Sequence, residues 1–444
     1  MFARLLLAAT IGAAMPQVAI ATSFDETLVA TYQNNPSIKA ARQQLQATDE
    51  GVAQALSGVR PTVTAGYDYG RQRTALAGAS WTHSNAETKG LRVSQPISGV
   101  GTWASYEGAS QRVKAGQYQL SATEQQVLLQ AVTSYMDVAS ASQILGLSRT
   151  NAEVLEKQLI AATARFQVGE VTRTDVAQAE SRLSNAKSQV ITTEGELLSA
   201  IATFERVTGF RPDGALALPD KLPELPANLD DALVLSHDKN PQFMAAIHNA
   251  KASRFDVRTN EAVLLPSVAV VGTLARQTGA GANGNSDFDQ DKIALEVNVP
   301  LYQSGAEYSR VREAKAIARQ RDQESTATRM AIDEAVTQGW EQLETAGATI
   351  ATRQDQIKAA QIALDGVKQE QQYGSRTVLD VLDAEQELFT ARTNLVRAQR
   401  NRIVAAYSLA NTLGQMTPAA LALNVENYDP TLHAAEVKWK PIGF

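Results

Sequence analysis

The segment Tyr373-Gly-Ser-Arg-Thr-Val-Leu-Asp-Val-Leu-Asp-Ala384 predicts a tight turn that leads into a long amphipathic helix. Gly374 can adopt the positive φ angle that ends a preceding helix, because glycine lacks the Cβ atom that disfavours this conformation. Ser375 or Thr377 can then accept a backbone hydrogen bond at the start of the next helix. We therefore expect a helix, a glycine turn and a capped second helix, in this order.

The helix that follows the turn carries apolar and small side chains in rows that repeat every seven residues. These rows begin at Val381, Leu382 and Ala384. On a helical wheel they cover an arc of roughly 160°, which is too wide for a single coiled-coil seam. The helix is therefore predicted to have two helical neighbours. Asp380 and Asp383 lie on its polar side, and a spacing of three residues places them on one face.

The same pattern occurs earlier in the chain, in Val168-Gly-Glu-Val-Thr-Arg-Thr-Asp-Val-Ala-Gln-Ala179. A constant spacing of 205 residues relates the pairs Gly169 and Gly374, Asp175 and Asp380, and Gly209 and Gly414. A spacing that is kept over so many positions indicates an internal duplication.

The chain has 444 residues, a formal net charge of −6 and no cysteine. Its start is typical of a secretory signal peptide, with Arg4, an apolar core over residues 5–14 and the small-residue pattern Ala19-Ile20-Ala21. Without cysteine, the chain has neither disulfides nor a lipid-modified N-terminal cysteine. The predicted divisions are a signal peptide (1–21), a first structural repeat (22–209), an equatorial linker (210–228), a second structural repeat (229–414) and a C-terminal equatorial tail (415–444).

The sequence predicts strands, not helices, for any entry into a membrane. The longest apolar stretch, residues 262–272, has 11 residues and contains Pro266, whereas a spanning helix needs about 20 residues. Alternation of apolar and polar residues is typical of outer-membrane barrel strands, although a half-buried soluble hairpin is an alternative. The predicted strands are 62–70 and 293–299, with weaker ones near 91–95 and 268–274, joined in pairs by polar loops at 75–88 and 276–290.

Helices flank each predicted hairpin. A shorter helix precedes each one, over residues 24–59 and 229–265, and each is entered through an Asn-Pro pair and ended by a proline. A very long helix follows, over residues 103–167 and 306–372, and the second of these would extend about 100 Å. Because these long helices are rich in Ala, Gln, Ser and Thr, we expect them to form a wall one helix thick.

Four strands in one chain leave two open sheet edges, which lipid does not tolerate. The smallest closed outer-membrane barrels have about eight strands. Several chains are therefore predicted to pool their strands into one barrel, which the helices continue as a tube.

These features resemble the TolC family of outer-membrane efflux and secretion channels. The resemblance rests on the Asn-Pro pairs, the proline-led strands, Arg165-Phe-Gln-Val-Gly169 with Thr174-Asp175-Val176, and the segment from Gly374 to Ala384. It implies a mixed α/β membrane protein that forms a homotrimer in the outer membrane. Three chains with four strands each would close a twelve-stranded β-barrel. A long periplasmic α-helical barrel, with a small mixed equatorial region, would continue it.

The resemblance also implies a periplasmic gate. The residues that it assigns to gating and selectivity are Asp380, Asp383, Arg376, Thr174, Asp175 and Gln371, with tip turns at Gly169 and Gly374. Asp380 and Asp383 would line the tip as acidic rings. Arg376 would tie the closed tip to Thr174 and Asp175. Gln371 replaces a tyrosine of the closing network in the best-known member, so this link differs here.

The tail favours one branch of the family. Val425-Glu-Asn-Tyr-Asp-Pro-Thr-Leu-His433, followed by Val437 and Trp439, looks like the ending of type I protein-secretion channels. That branch works with an inner-membrane ABC transporter and a periplasmic adaptor, and its barrel lies in outer-membrane lipid. The resemblance therefore implies the exit duct of such a tripartite system, which passes protein substrate and also small toxic compounds to the outside. An outer-membrane channel of a multidrug or solute efflux pump is the alternative, and a trimeric coiled-coil surface adhesin is a further one.

Other patterns in the sequence favour no catalytic or cofactor site. Gly279-Ala-Gly-Ala-Asn-Gly284 fits a dinucleotide-binding pattern, but it lies between two predicted strands, so it indicates an extracellular loop. Asp287, Asp289 and Asp291 could bind calcium, but a solvated loop is the favoured interpretation. The four histidines have no metal-ligand spacing. We therefore expect no enzyme activity, no cofactor and no nucleic-acid partner.

Overall fold

The computed structural model describes residues 23–75, 81–214, 216–219, 222–280 and 286–440. The predicted signal peptide and the tips of both hairpin loops lie outside these residues. The first half contains α1 (Phe24–Asn34), α2 (Pro36–Ser57), β1 (Thr62–Thr74), β2 (Thr82–Pro96), α3 (Val100–Gln167) and α4 (Arg173–Thr208). The second half contains α5 (Leu229–Lys239), α6 (Pro241–Ala262), β3 (Ser267–Ala280), β4 (Ser286–Asn298), α7 (Ala306–Gln372) and α8 (Val378–Thr412), before α9 (Leu432–Val437) in the tail.

The prediction of one continuous helix before each hairpin was wrong. Each is divided in two at its Asn-Pro pair, because a residue that precedes proline is disfavoured in the helical conformation. Asn35 is extended, and its side chain accepts a hydrogen bond from the Ser37 backbone N–H at 2.8 Å. Asn240 caps α6 in the same way, through the Gln242 N–H at 2.9 Å. The asparagines therefore end one helix and begin the next.

The four strands form one antiparallel sheet in the order β1-β2-β3-β4. The register brings apolar residues of neighbouring strands opposite each other, as in Ala65 with Leu91, Leu91 with Leu274, and Val270 with Leu295. Since side chains alternate between faces along a strand, these residues share one face. The opposite face carries a mixture of polar residues, such as Thr64, Arg92 and Thr273, and small apolar ones.

The strands extend beyond the predicted ones, so the predicted loops at 75–88 and 276–290 were too long. β2 begins at Thr82, and β4 begins at Ser286. The ends of these strands carry polar side chains without the apolar alternation, but their backbones still pair with the neighbouring strand. The register shifts between Gln277 and Ala280.

One compact unit contains the described residues of the segments Met1–Gln33, Gln130–Leu222 and Thr345–Val404. In its core, Val378 and Leu382 of α8 pack against α3 and α4. On the adjacent side of α8, Val381 and Leu388 pack against α7. The wide apolar arc predicted two helical neighbours for α8, and in the structure its apolar residues pack against three helices.

The second compact unit contains the segments Asn34–Leu129, Pro223–Glu344 and the described part of Ala405–Phe444. It includes the sheet, and its core joins the end of α8 to α5 and α7. In the tail, His433 of α9 contacts the buried Asp49 carboxylate of α2 at 3.1 Å, and burial raises the pKa of Asp49. Each unit combines segments of both halves of the chain, so the predicted repeat boundaries stay predictions.

None of the described helices combines the length and the apolar character that crossing a membrane would require.

Candidate functional site

The candidate site consists of the two turns that join α3 to α4 and α7 to α8. Each contains a glycine with positive φ, 81° at Gly169 and 78° at Gly374. In the first turn, the Gly169 N–H donates to the Phe166 carbonyl at 3.0 Å. In the second, the Gly374 N–H donates to the Gln371 carbonyl, also at 3.0 Å. The glycine turns predicted from the sequence are therefore present, and Gln371 contributes its backbone oxygen to one of them.

A reciprocal cap begins the helix after each turn. The Asp175 N–H donates to the Thr172 hydroxyl at 3.3 Å, and the Asp175 carboxylate accepts from the Thr172 N–H at 2.8 Å. In the second turn, the Asp380 N–H donates to Thr377 Oγ1 at 3.2 Å, and the Asp380 carboxylate accepts from the Thr377 N–H at 2.8 Å. Each pair satisfies two backbone donors at a helix start. Of the two predicted caps, the structure uses Thr377.

Asp380 is held in its charged form. Hydrogen bonds from the Thr377 N–H and hydroxyl favour the carboxylate and lower the pKa of Asp380, and the nearby Arg376 adds to this. The site therefore presents a fixed negative charge at the start of α8.

Arg376 binds a residue that sequence analysis missed. Its Nε donates to Glu370 Oε2 at 2.8 Å, and this contact raises the pKa of Arg376. Ser375 also donates its hydroxyl to the Glu370 carbonyl at 2.9 Å. The turn folds Arg376 back on its own chain, so the predicted link to Thr174 and Asp175 is not made within one chain. That link stays a prediction for contacts between chains.

Asp383 also has an unpredicted partner. Arg182 of α4 donates from Nη2 to Asp383 Oδ1 at 2.6 Å, and both side chains are partly exposed. The two residues are distant in sequence and their contact depends on how α4 packs on α8, which no local pattern indicates. The structure thus places Asp380 and Asp383 in different electrostatic surroundings.

The remaining sequence candidates do not join this site. Asp289 lies 3.6 Å from Arg276 Nε, and the Gly279 N–H donates to Asp287 at 3.4 Å. Residues 281–284 of the glycine-rich segment lie outside the described residues. Within the described ranges, no group of three or more His, Cys, Asp or Glu side chains could hold a metal ion.

Comparison with known proteins places the chain in a family. The sequence profile described as OEP, outer membrane efflux protein, matches residues 28–209 and 232–415. The chain is 33% identical to the outer membrane efflux protein BepC of Brucella suis biovar 1 over 96% of this chain and 93% of BepC. It is 23% identical to the outer membrane protein TolC of Escherichia coli K12, covering 90% of this chain and 84% of TolC.

Two further similarities bear on function and fold. The proteases secretion protein PrtF of Dickeya chrysanthemi is 26% identical, with 86% of each chain covered. The crystal structure of the Campylobacter jejuni outer membrane channel CmeC superposes with a TM-score of 0.80 at 16% identity, covering 94% of this chain and 89% of that one. The profile match over both halves and the full-length relatives agree with the helix-rich fold and its four-stranded sheet. The chain therefore belongs to the outer membrane efflux protein family, the family of TolC, whose members are outer-membrane channels.

Proposed function

We propose that this chain is the outer-membrane exit duct of a type I secretion system. It passes protein substrate from an inner-membrane ABC transporter and a periplasmic adaptor to the outside. The family membership supports a channel, and similarity to a proteases secretion protein supports protein as cargo. The tail from Val425 to Trp439, which resembles the ending of secretion channels, supports the same branch.

The observation that carries the channel function is the sheet itself. Among the described residues, β1 and β4 each pair with one strand, so each leaves an open edge. On the apolar face, Ile293 and Leu295 are 86% and 64% exposed. In a closed barrel in lipid, the edge strands hydrogen-bond to neighbouring strands and the apolar face contacts the hydrocarbon chains. We therefore propose a homotrimer in the outer membrane, exported by the signal peptide, in which β4 of one chain pairs with β1 of the next.

The two turns form the periplasmic gate in this proposal. Three copies of Asp380 and Asp383 surround the lumen, and they favour cations. Arg376 closes the gate by leaving Glu370 and binding Thr174 and Asp175 of a neighbouring chain. The lowered pKa of Asp380 supports this role, since it keeps the carboxylate charged.

Deletion of the gene tests the secretion function. We expect secreted proteins to disappear from the culture medium and to return with the wild-type chain. Sensitivity to detergents and antibiotics is measured in the same strains. An unchanged set of secreted proteins with increased drug sensitivity would contradict the proposal.

Drug or solute efflux is the second candidate function. It is favoured by the relative with 33% identity, which is named as an efflux protein. Crosslinking in cells distinguishes the two, because the adaptor and pump that are recovered belong either to an ABC secretion system or to an efflux pump. The profile match across both hairpins favours either channel over the adhesin alternative.

Assembly is tested with a pair of arginine substitutions in β4. Leu295→Arg places a charge on the proposed lipid face and should cost about 2–4 kcal/mol near the bilayer midplane. Asn298→Arg is the control, because position 298 lies on the opposite face and should tolerate the charge better. The measurement is the yield of SDS-resistant trimer in outer membranes. Equal yields would show that the assignment of the two faces is wrong.

The gate is tested by single-channel recording in planar bilayers. Arg376→Ser should raise conductance, because it removes the cation that holds the tip closed. Asp380→Asn should weaken cation selectivity and block by multivalent cations. If neither variant differs from the wild type, the constriction lies elsewhere in the channel.

A further inference from the structure

The two aspartates that the gate proposal treats alike have different charge environments. Arg182 forms an ion pair with Asp383 at 2.6 Å, whereas none of the ion pairs in the described ranges includes Asp380. We propose that Arg182 neutralises the Asp383 ring, so that of these two aspartates only Asp380 contributes to the preference of the gate for cations. This inference rests on the proposed function, and it assigns Arg182 as a selectivity-determining residue.

The chemistry of the partners explains the difference. The hydrogen bonds that stabilise the Asp380 carboxylate come from the neutral N–H and hydroxyl of Thr377, and the nearby Arg376 is itself paired with Glu370, so no ion pair in the described part of the chain cancels the charge of Asp380. Asp383 is paired with a guanidinium, which stays protonated at all physiological pH values. The field of a close pair of opposite charges falls off faster with distance than the field of a single charge. A permeating ion should therefore respond to Asp380 far more than to Asp383.

Within one chain, Arg376 forms no ion pair with Asp380 or Asp383, whereas Arg182 does so with Asp383. It is paired with Glu370 at 2.8 Å, on the same turn. That pair is also neutral overall. At the start of α8, Asp380 is thus the negative charge that remains after the pairs on Glu370 and Asp383 are counted.

Packing between α4 and α8 holds Arg182 in place. Leu183, next to Arg182, is buried in the same cluster as Leu382, which is next to Asp383. Exposed ion pairs add little to stability, about 0–1 kcal/mol. Loss of Arg182 should therefore alter the charge at the gate more than the fold.

The experiment compares ion selectivity in purified trimers in planar bilayers. The potassium-to-chloride permeability ratio is measured from reversal potentials at low salt, where charges are least screened. R182Q should raise this ratio by at least about fivefold, because each of the three unmasked carboxylates changes the local concentration of a nearby ion about fivefold in water. D383N should lower the ratio, because it leaves Arg182 unpaired. The double variant R182Q/D383N should return to the wild-type ratio.

Arg149→Gln is the matched control. It breaks a comparable ion pair, Arg149 with Glu194 at 2.8 Å, between α3 and α4. We expect it to leave the permeability ratio unchanged. Arg182→Met is a second neutral variant with an apolar stem, for use if R182Q reduces the yield of trimer.

The outcomes separate this inference from the gate proposal. An unchanged ratio in both R182Q and R182M, or a double variant as weakly cation-selective as D383N, would overturn the role of Arg182. D380N is measured alongside. If D380N also leaves the ratio unchanged, the failure belongs to the placement of the gate and not to the pairing of Arg182.

Discussion

The turn between α3 and α4 and the turn between α7 and α8 have the same backbone conformation but different charged residues. Both use a glycine with positive φ and a threonine–aspartate cap. At the position that corresponds to Glu370, 205 residues earlier, the first turn has Arg165. At the position that corresponds to Arg376, it has Val171. The residues that end and restart a helix are therefore the same in the two turns, whereas the charged residues differ.

The two turns are consequently held in different ways. Val171 packs against the apolar cluster that includes Leu382 of α8. Arg376 is exposed and bound to Glu370 by an ion pair. At corresponding positions, the first turn therefore has an apolar contact where the second has a polar contact that can exchange. This difference is why we place the moving part of the gate in the second turn.

The largest expected effect comes from the packing that anchors the first turn. Leu382 is 1% exposed and lies in the cluster that joins α8 to α3 and α4. Leu382→Ala should lower the free energy of unfolding by about 2–5 kcal/mol, through lost burial and a cavity. Chemical denaturation of the purified protein measures this. Leu198→Ala, at a side chain that is 59% exposed, is the control, and an equal loss there would contradict the assigned core.

The glycines test whether the two backbones are equivalent. Gly169→Ala and Gly374→Ala should each destabilise by about 1–2 kcal/mol, because a non-glycine residue is strained at positive φ. An added Cβ would meet no atom within 4 Å at either position, so the strain is in the backbone alone.

Gly195→Ala is the control for the glycine pair. Gly195 lies inside α4, where an added Cβ also meets no atom within 4 Å. Alanine should stabilise a helix interior by about 0.5–1 kcal/mol relative to glycine, so the sign is opposite. Thermal unfolding of the three variants gives the comparison. Clearly unequal losses at positions 169 and 374 would show that the two turns differ in more than charge.

The caps should also contribute equally. Thr172→Ala and Thr377→Ala should each destabilise by about 1 kcal/mol, the usual cost of losing a threonine N-cap. Thermal unfolding at neutral pH measures both. A loss confined to one turn would mean that one cap is redundant in the assembled protein.

Acidification distinguishes the cap at Asp380 from simple helix propensity. Since the folded-state pKa of Asp380 lies below 3.8, its stabilising contribution is present above that pH and is lost as the pH falls through the lower folded-state value. The difference in melting temperature between wild type and Asp380→Asn should therefore be constant from neutrality down to about pH 4 and shrink below it. A difference that changes around neutral pH would contradict this origin.

The sequence predicted the helices of both turns well and their contacts poorly. The bounds of α7 and the positive φ at Gly374 follow from periodicity and from the special conformation of glycine, both of which are local. The breaks at Asn35 and Asn240 were missed because each Asn-Pro pair was interpreted only as a helix entry. The contacts of Arg182 and Glu370 were missed because helix packing and turn geometry determine them. For Glu370, the sequence did contain a signal: the residue 205 positions earlier is Arg165, so the charge is reversed between the two turns.

The smallest effect on stability, and a distinct effect on gating, is expected at Glu370. The exposed Glu370–Arg376 pair should add little to stability, as exposed pairs usually do. Glu370→Gln removes the competing partner and leaves Arg376 available to the carboxylate of a neighbouring chain. We therefore expect a longer-lived closed state in single-channel recordings, with an unchanged melting temperature.

Arg165→Gln, at the corresponding position of the first turn, is the control for Glu370→Gln. Residue 171, which corresponds to Arg376, is a valine and cannot form an ion pair with Arg165. The substitution of Arg165 should therefore release no cation that could close the gate. If Glu370→Gln instead opened the channel, Glu370 would be positioning Arg376 for the closed state, and the exchange of partners would be wrong. If both variants altered gating equally, both turns would take part in the gate, and their different charged residues would not affect gating.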